Sequence, residues 1–292
     1  MAIELAVKDP ADVMDLWGAI SAEAVFEGRT GRGVRVAVVD SGIDTEHPDL
    51  KGKVKGSVEA VAEEGHINFR PSTSGDQAGH GTACAGIITS VAPDVDLYSV
   101  KVLGPNASGS GDMFLVGLDY AIKEKFKVIN LSLGTTKRDY FAPLHDLLDR
   151  AYQSGCIVVA AANNLPYPSY PSIFSSGLIS VIKRTGGNPF NFGYRYGQVI
   201  ELVAPGVEVK TTWPGGGYRQ LTGNSFACPY VVGIVALMLE AYPELTPFQV
   251  KSILYTIARR NREKAAAQLQ EKLWIRRSPL RDSAKFLAPL CG

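Results

Sequence analysis

Three short stretches of this chain carry side chains that could combine into an acyl-transfer centre. In TGNSFACPYVVG (222–233) a small hydroxyl, Ser225, sits where a polar segment turns into an apolar run that reads as a buried helix. Backbone N–H groups point outward at a helix start and favour developing negative charge, so the position suits a helix cap and a nucleophile alike. Histidine is scarce: His47, His66, His80 and His145. His47 in EHPDL, His66 in a polar loop and His145 on an amphipathic helix all read as structural or solvated. His80 differs, because GHGTACAGIITS sets it between two glycines at the opening of an apolar helix. Missing side chains there let a substrate or another backbone approach closely, although a buried histidine in a tight turn fits the same residues.

Asp40 ends the strand-like run VRVAVV, where burying a carboxylate is unfavourable unless it is paired. Asp44, in the turn that follows, is its less buried competitor. An acid, a histidine and a serine together supply an orienting anion, a general base and a nucleophile. Such chemistry also needs a donor for the oxyanion. VVAAANN offers Asn163 just past a strand, with Ala160, Ala161 and Ala162 leaving room in front of it; a turn asparagine is the plainer reading of Asn163 alone.

These residues need a rigid frame, and the pattern supplies one. Apolar β-branched runs recur at DLYSVKVL, KVINLSL, CIVVAAA, LISVI and VIELVAP, with helix-period stretches such as GDMFLVGLDYAIKEK and APLHDLLDRAYQSG between several of them. That alternation predicts an α/β fold, a three-layer α/β/α arrangement around a mostly parallel central sheet. In such sheets working residues gather at the carboxyl ends of the strands. Two further helices, about 226–241 and 246–258, close the main domain. The expected organisation is a lead-in helix and linker over 1–33, a catalytic domain over 34–258 and a basic helical extension over 259–292.

Bulk properties exclude several classes. The chain has 292 residues, 46% of them hydrophobic and 20% charged, an ordinary globular composition. Net charge is +1, so no global field draws it to nucleic acid or membrane. Apolar stretches are broken by Gly, Pro or charge before the ~20 residues of a membrane span. The start MAIELAVKDP has no basic segment followed by an apolar one, so a cytoplasmic location is expected. Cys84, Cys156, Cys228 and Cys291 lack CxxC spacing and read as free thiols. Residues 259–292 hold nine Lys or Arg against three Asp or Glu. This tail docks an acidic partner or caps the domain, a solvated helix face being the plainer reading.

Taken in order, VAVVDSGIDTEHPDL, GHGTACAGI, VINLSLG, VVAAANN and APGVEV…TGNSFACPYVVG resemble the successive signatures of the subtilisin-like serine proteases, the subtilases. The likeness runs from about Val34 to about Ala258. It implies that Asp40 orients the imidazole, His80 is the general base and acid, and Ser225 is the nucleophile. Asn163 would supply the side-chain oxyanion donor beside the Ser225 N–H. A peptide or protein substrate would bind as an added strand between Ser108, Gly109, Ser110 and Gly111 on one side and Ser132, Leu133 and Gly134 on the other. No cofactor is implied.

Departures from the family pattern carry their own expectations. Asn224 replaces the usual threonine before the nucleophile and is itself able to donate to an oxyanion. Phe226, Cys228 and Tyr230 alter the packing behind the site, and Ala162 stands where glycine is usual. Cys84 reads as buried packing. A loop that helps relatives bind calcium is missing after HGTACAGIITS, and Asp49 alone cannot build the six to eight oxygen ligands calcium takes, so no metal is expected there. The leading reading is an active serine endopeptidase, in a narrower form a dedicated processor of an intracellular precursor peptide. The alternative is a catalytically silent subtilase fold used for binding. A glycine-rich phosphate loop at PGGGYRQ is marginal, because it does not lie between a strand and a helix.

Overall fold

The structure, a computed structural model, describes residues 25–277 and the side chains of residues 25–268. Most of the expected lead-in segment (1–24) and the tail carrying Phe286, Leu287 and Cys291 lie outside the described residues. Strand β1 (Arg35–Asp40) is followed by β2 (Val54–Glu63), β3 (His66–Pro71), helix α1 (His80–Val91) and β4 (Asp96–Lys101). Helix α2 (Gly111–Lys123), β5 (Val128–Leu131), α3 (Phe141–Gln153), β6 (Ile157–Ala161) and β7 (Ile179–Thr185) come next. Then follow β8 (Gly193–Tyr194), β9 (Leu202–Val207), β10 (Val209–Trp213), β11 (Gly217–Leu221), α4 (Asn224–Ala241) and α5 (Pro247–Arg277).

The main sheet has the order β3-β2-β4-β1-β5-β6-β7-β9-β8. Every pairing from β2 across to β9 is parallel, and β3 and β8 are antiparallel strands at its two edges. Successive β1 residues serve opposite layers. Val36 and Val38 join Cys84 and Ile88 of α1 and Val232 and Val235 of α4. Ala37 and Val39 join Phe114 and Leu118 of α2 and Leu144 and Leu148 of α3. Burial on both faces is why the strands read as continuous apolar runs. The three-layer α/β/α expectation is met.

Two features escaped that pattern. The β2–β3 hairpin extends one edge, and PGGGYRQ spans the turn and second strand of a separate β10–β11 hairpin. Helix α4 is long and apolar enough to cross a membrane by composition alone, but 78% of it is buried inside the domain. Its all-round apolarity is that of a central core helix.

Helix α5 runs unbroken through the boundary drawn at 258. Beyond that point Asn261 Nδ2 donates to the carbonyls of Phe190 at 2.9 Å and Phe192 at 3.1 Å. Nearer its start, Lys251 pairs with Glu201 of the loop before β9 at 2.9 Å. The basic segment therefore begins as part of the domain's own last helix. Asn261→Ala leaves both carbonyls without that donor and is expected to lower stability by about 1–2 kcal/mol. Urea unfolding should show a lower midpoint at an unchanged slope; an unchanged midpoint would contradict the attachment.

Candidate active site

Four neighbouring parallel strands deliver the site from their carboxyl ends. β4 runs on into the 102–111 segment, β1 ends at Asp40, β5 leads into Ser132–Gly134, and β6 leads into Ala162 and Asn163. The Asp40 carbonyl accepts from the N–H groups of Val102 at 2.8 Å and Leu103 at 3.1 Å, which ties the start of that segment to β1.

Asp40 is fully buried, and its side chain is satisfied by the turn that follows and by α1. Oδ1 accepts from the Ser41 N–H at 2.7 Å. His80 Nδ1 lies 2.8 Å from Oδ1 and 2.9 Å from Oδ2. With Nδ1–H donating to the carboxylate, Nε2 is left as the acceptor. Asp44 is otherwise engaged: its oxygens accept from the Glu46 N–H and from Gly215 at the β10–β11 turn. Of the two acids, Asp40 is the one His80 pairs with.

The glycines around His80 admit protein. A Cβ on Gly79 would lie 2.4 Å from the Trp213 ring, and one on Gly81 would lie 2.1 Å from the Gly42 carbonyl oxygen. Gly79 also has φ +83°, a left-handed conformation that side chains rarely adopt. Behind the imidazole, the Phe226 ring packs at 5.4 Å between centroids.

Asp76, which sequence reasoning passed over, holds this arrangement together. Its buried carboxylate accepts from Ser41 Oγ, from the N–H groups of Ala78, Gly79 and Thr82, and from Thr82 Oγ1, at 2.6–3.1 Å. It satisfies orphan donors at the start of α1 and fixes the residue beside Asp40. An acid four residues before a helix-opening histidine was the available signal.

Ser225 lies in the first turn of α4, where its N–H has no partner within the helix. Its carbonyl is free for a different reason. Pro229, four residues on, has no N–H to donate back to it. Ser132 Oγ takes the vacancy at 2.8 Å and Cys84 Sγ approaches at 3.7 Å. Cys84 is fully buried; burial and then the Asp40 charge hold its thiol well above the ordinary range, so it stays neutral. Cys228 contacts Asn130 Oδ1 and the Val159 carbonyl, with burial again raising its thiol. His80 Nε2 and Ser225 Oγ are not hydrogen-bonded to each other; they meet across a shared cleft of about 400 Å³. Ser108–Gly111, Ser132, Leu133 and Gly134 line the same cleft. The Ser110 hydroxyl also caps α2 through the Met113 N–H.

A second cleft, about 330 Å³, places Asn163 beside Ser225 and is lined by Ala161 and Ala162. Asn163 Oδ1 accepts from the Leu165 N–H at 3.1 Å, which orients the amide and leaves Nδ2 unpaired among the described residues. Two expected site residues do not belong here. Asn224 is 2% exposed. Its Nδ2 donates to the carbonyls of Ala162 and Asn163, and its Oδ1 accepts from the Lys183 N–H. Both amide hydrogens are used, so Asn224 is no oxyanion donor; it braces the loop that carries Asn163. Ala160 is fully buried on the α2–α3 side of the sheet and lines neither cleft. Asp49, the residue expected to lack a metal, has Oδ2 accepting from the Tyr218 hydroxyl at 2.8 Å.

Comparison with known proteins agrees with this frame. The profile described as "Subtilase family" matches residues 31–272. Subtilisin Savinase of Lederbergia lenta is 38% identical over 242 residues, covering 79% of this chain and 85% of that protein. M-protease of Shouchella clausii (strain KSM-K16) is 38% identical over 242 residues, and subtilisin E of Bacillus subtilis (strain 168) is 36% identical over 254. The matches cover 79% and 80% of this chain but only 60% and 62% of those two relatives. A solved structure of a cold-adapted subtilisin-like serine proteinase superposes with a TM-score of 0.66 at 30% identity, covering 78% of this chain and 83% of its own. The chain belongs to the subtilase family.

Burial of the His80 ring pulls its pKa down. The Asp40 charge, the Asp40 hydrogen bond and the Asp76 charge act the other way, and the net direction is above the ordinary 6.5. Asp76→Asn keeps the shape, removes one of these charges and turns an NH2 donor toward groups that themselves donate. NMR titration of the His80 ring should then give a lower pKa than the wild type. Urea unfolding should show about 2 kcal/mol less stability, the cost of unsatisfied buried donors. A His80 titration that does not move in the folded variant would exclude electrostatic coupling to Asp76.

Proposed function

We propose that this chain is a serine endopeptidase whose triad is Asp40, His80 and Ser225. Ser225 Oγ gives its proton to His80 Nε2 as it attacks the scissile carbonyl carbon. The oxyanion of the tetrahedral intermediate is met by the Ser225 N–H and Asn163 Nδ2. Asp40 holds the tautomer and stabilises the imidazolium that forms. His80 then protonates the leaving amine, and water hydrolyses the acyl-enzyme with His80 again as base. A peptide substrate lies as an added strand between the 108–111 and 132–134 segments.

The observation that carries this reading is the bidentate approach of His80 Nδ1 to the buried Asp40 carboxylate at the edge of a cleft that Ser225 also lines. The open Nε2–Oγ contact is compatible with it, because catalytic hydrogen bonds commonly tighten only once substrate is bound. The family's named proteases support the same activity. A narrower role, trimming one precursor peptide, draws only on the basic balance of residues 259–292.

A fluorophosphonate probe should label the wild type and fail to label Ser225→Ala. No labelling of folded wild type would instead mark a silent binding protein. Rapid digestion of casein to small fragments would count against the narrower role. Asn163→Ala should retain labelling but lose about 10²–10³ in kcat. That magnitude is the loss known for the corresponding change in subtilisin and is carried over from that relative.

A further inference from the structure

The two clefts share one wall. Ser132, Leu133, Gly134 and Thr135 line both, and so does Lys137 at the end of that segment. The backbone around Lys137 is pinned. Its N–H donates to Thr135 Oγ1 at 3.2 Å, and its carbonyl accepts from the Tyr140 N–H at 3.3 Å. Thr135 is in turn bridged to Tyr170, donating to its carbonyl at 2.8 Å and accepting from its N–H at 2.7 Å. A fixed backbone thus projects an exposed lysine at the mouth of the site, and this lysine has no ion-pair partner among the described residues.

The cleft beside Asn163 is otherwise uncharged. Hydroxyls and amides of Ser132, Thr135, Thr136, Asn164 and Ser169 surround it, with no carboxylate in its lining. Asp112 and Asp139 flank the region but line neither cleft, and Asp112 accepts from the Tyr140 hydroxyl at 3.3 Å. A polar pocket with one unpaired cation on its wall is complementary to a carboxylate.

We propose that Lys137 is a specificity-determining residue and that the cleft beside Asn163 selects an acidic side chain on the residue whose carbonyl is cut. This rests on the protease reading above. Ser225 fixes where that carbonyl lies, and Asn163 marks the adjoining cleft as the one its side chain enters. The two charges meet at a partly solvated surface, so the preference is modest.

The test is a peptide library in which only that residue varies, cleaved by wild type, Lys137→Glu and Lys137→Gln. The readout is the ratio of kcat/KM for glutamate over lysine within each protein. Wild type should favour glutamate by about tenfold, Lys137→Gln should bring the ratio near unity, and Lys137→Glu should invert it. Cleavage with a ratio that does not follow the charge at 137 overturns the assignment and leaves the protease reading intact. No cleavage of any peptide together with no fluorophosphonate labelling of Ser225 overturns both.

Discussion

Everything at the centre of this molecule follows from placing a carboxylate at the buried end of a core strand. Asp40 is inaccessible to water, and a buried acid persists only if its lone pairs are met. The chain meets them with the next backbone N–H and with the first residue of α1. That demand brings His80 against β1, and the approach leaves no room for a side chain on Gly81. Asp76 follows from the same requirement. It holds Ser41 beside Asp40 and the opening turn of α1 at once, so Asp40 and His80 are positioned by one hydrogen-bonded unit.

The Ser225 side of the site depends on a proline. Within an α-helix the carbonyl of Ser225 would ordinarily accept from the N–H four residues on, and Pro229 has none. The freed carbonyl takes the Ser132 hydroxyl, a residue of the wall between the clefts, so α4 is tied to the end of β5 through the backbone of Ser225 itself. Asn224 fastens the other side by donating to the carbonyls of Ala162 and Asn163. A backbone donor at Ser225 and a side-chain donor at Asn163 are thus held in one frame, and neither residue is spent on holding the other.

The sheet and its helices were legible because strands buried on both faces must be apolar throughout while their crossover helices keep a polar side. Asp40, His80, Ser225 and Asn163 were legible because each polar group stands at the edge of such a run. What was not legible depended on long-range partners. Asn224 looks like a donor beside a nucleophile until three carbonyl and N–H groups from β7 and the loop after β6 are brought against it. Ala160 and Ala161 are adjacent and chemically identical, yet strand alternation sends Ala160 to the α2–α3 layer and leaves Ala161 facing a cleft. Asp76 sits in a polar loop that carries no periodicity, and its role exists only once Ser41, 35 residues away, is folded onto it. The continuity of α5 past 258 was obscured by a change in charge that leaves helix propensity untouched.

Two helices aim their N-termini at the site, and the field they create divides the labour between them. The positive end of α4 lies at Ser225, where negative charge would develop on an oxyanion, so the dipole assists. The positive end of α1 lies at His80, where a proton would be taken up, so the dipole opposes an imidazolium. Asp76 accepts from N–H groups at that helix start and brings a negative charge to it, and Asp40 adds the second. With both acids in place the histidine titrates above its ordinary value despite burial and an unfavourable helix end. The loop acid and the strand acid therefore share one electrostatic task, which explains why a fold that already buries Asp40 also buries Asp76.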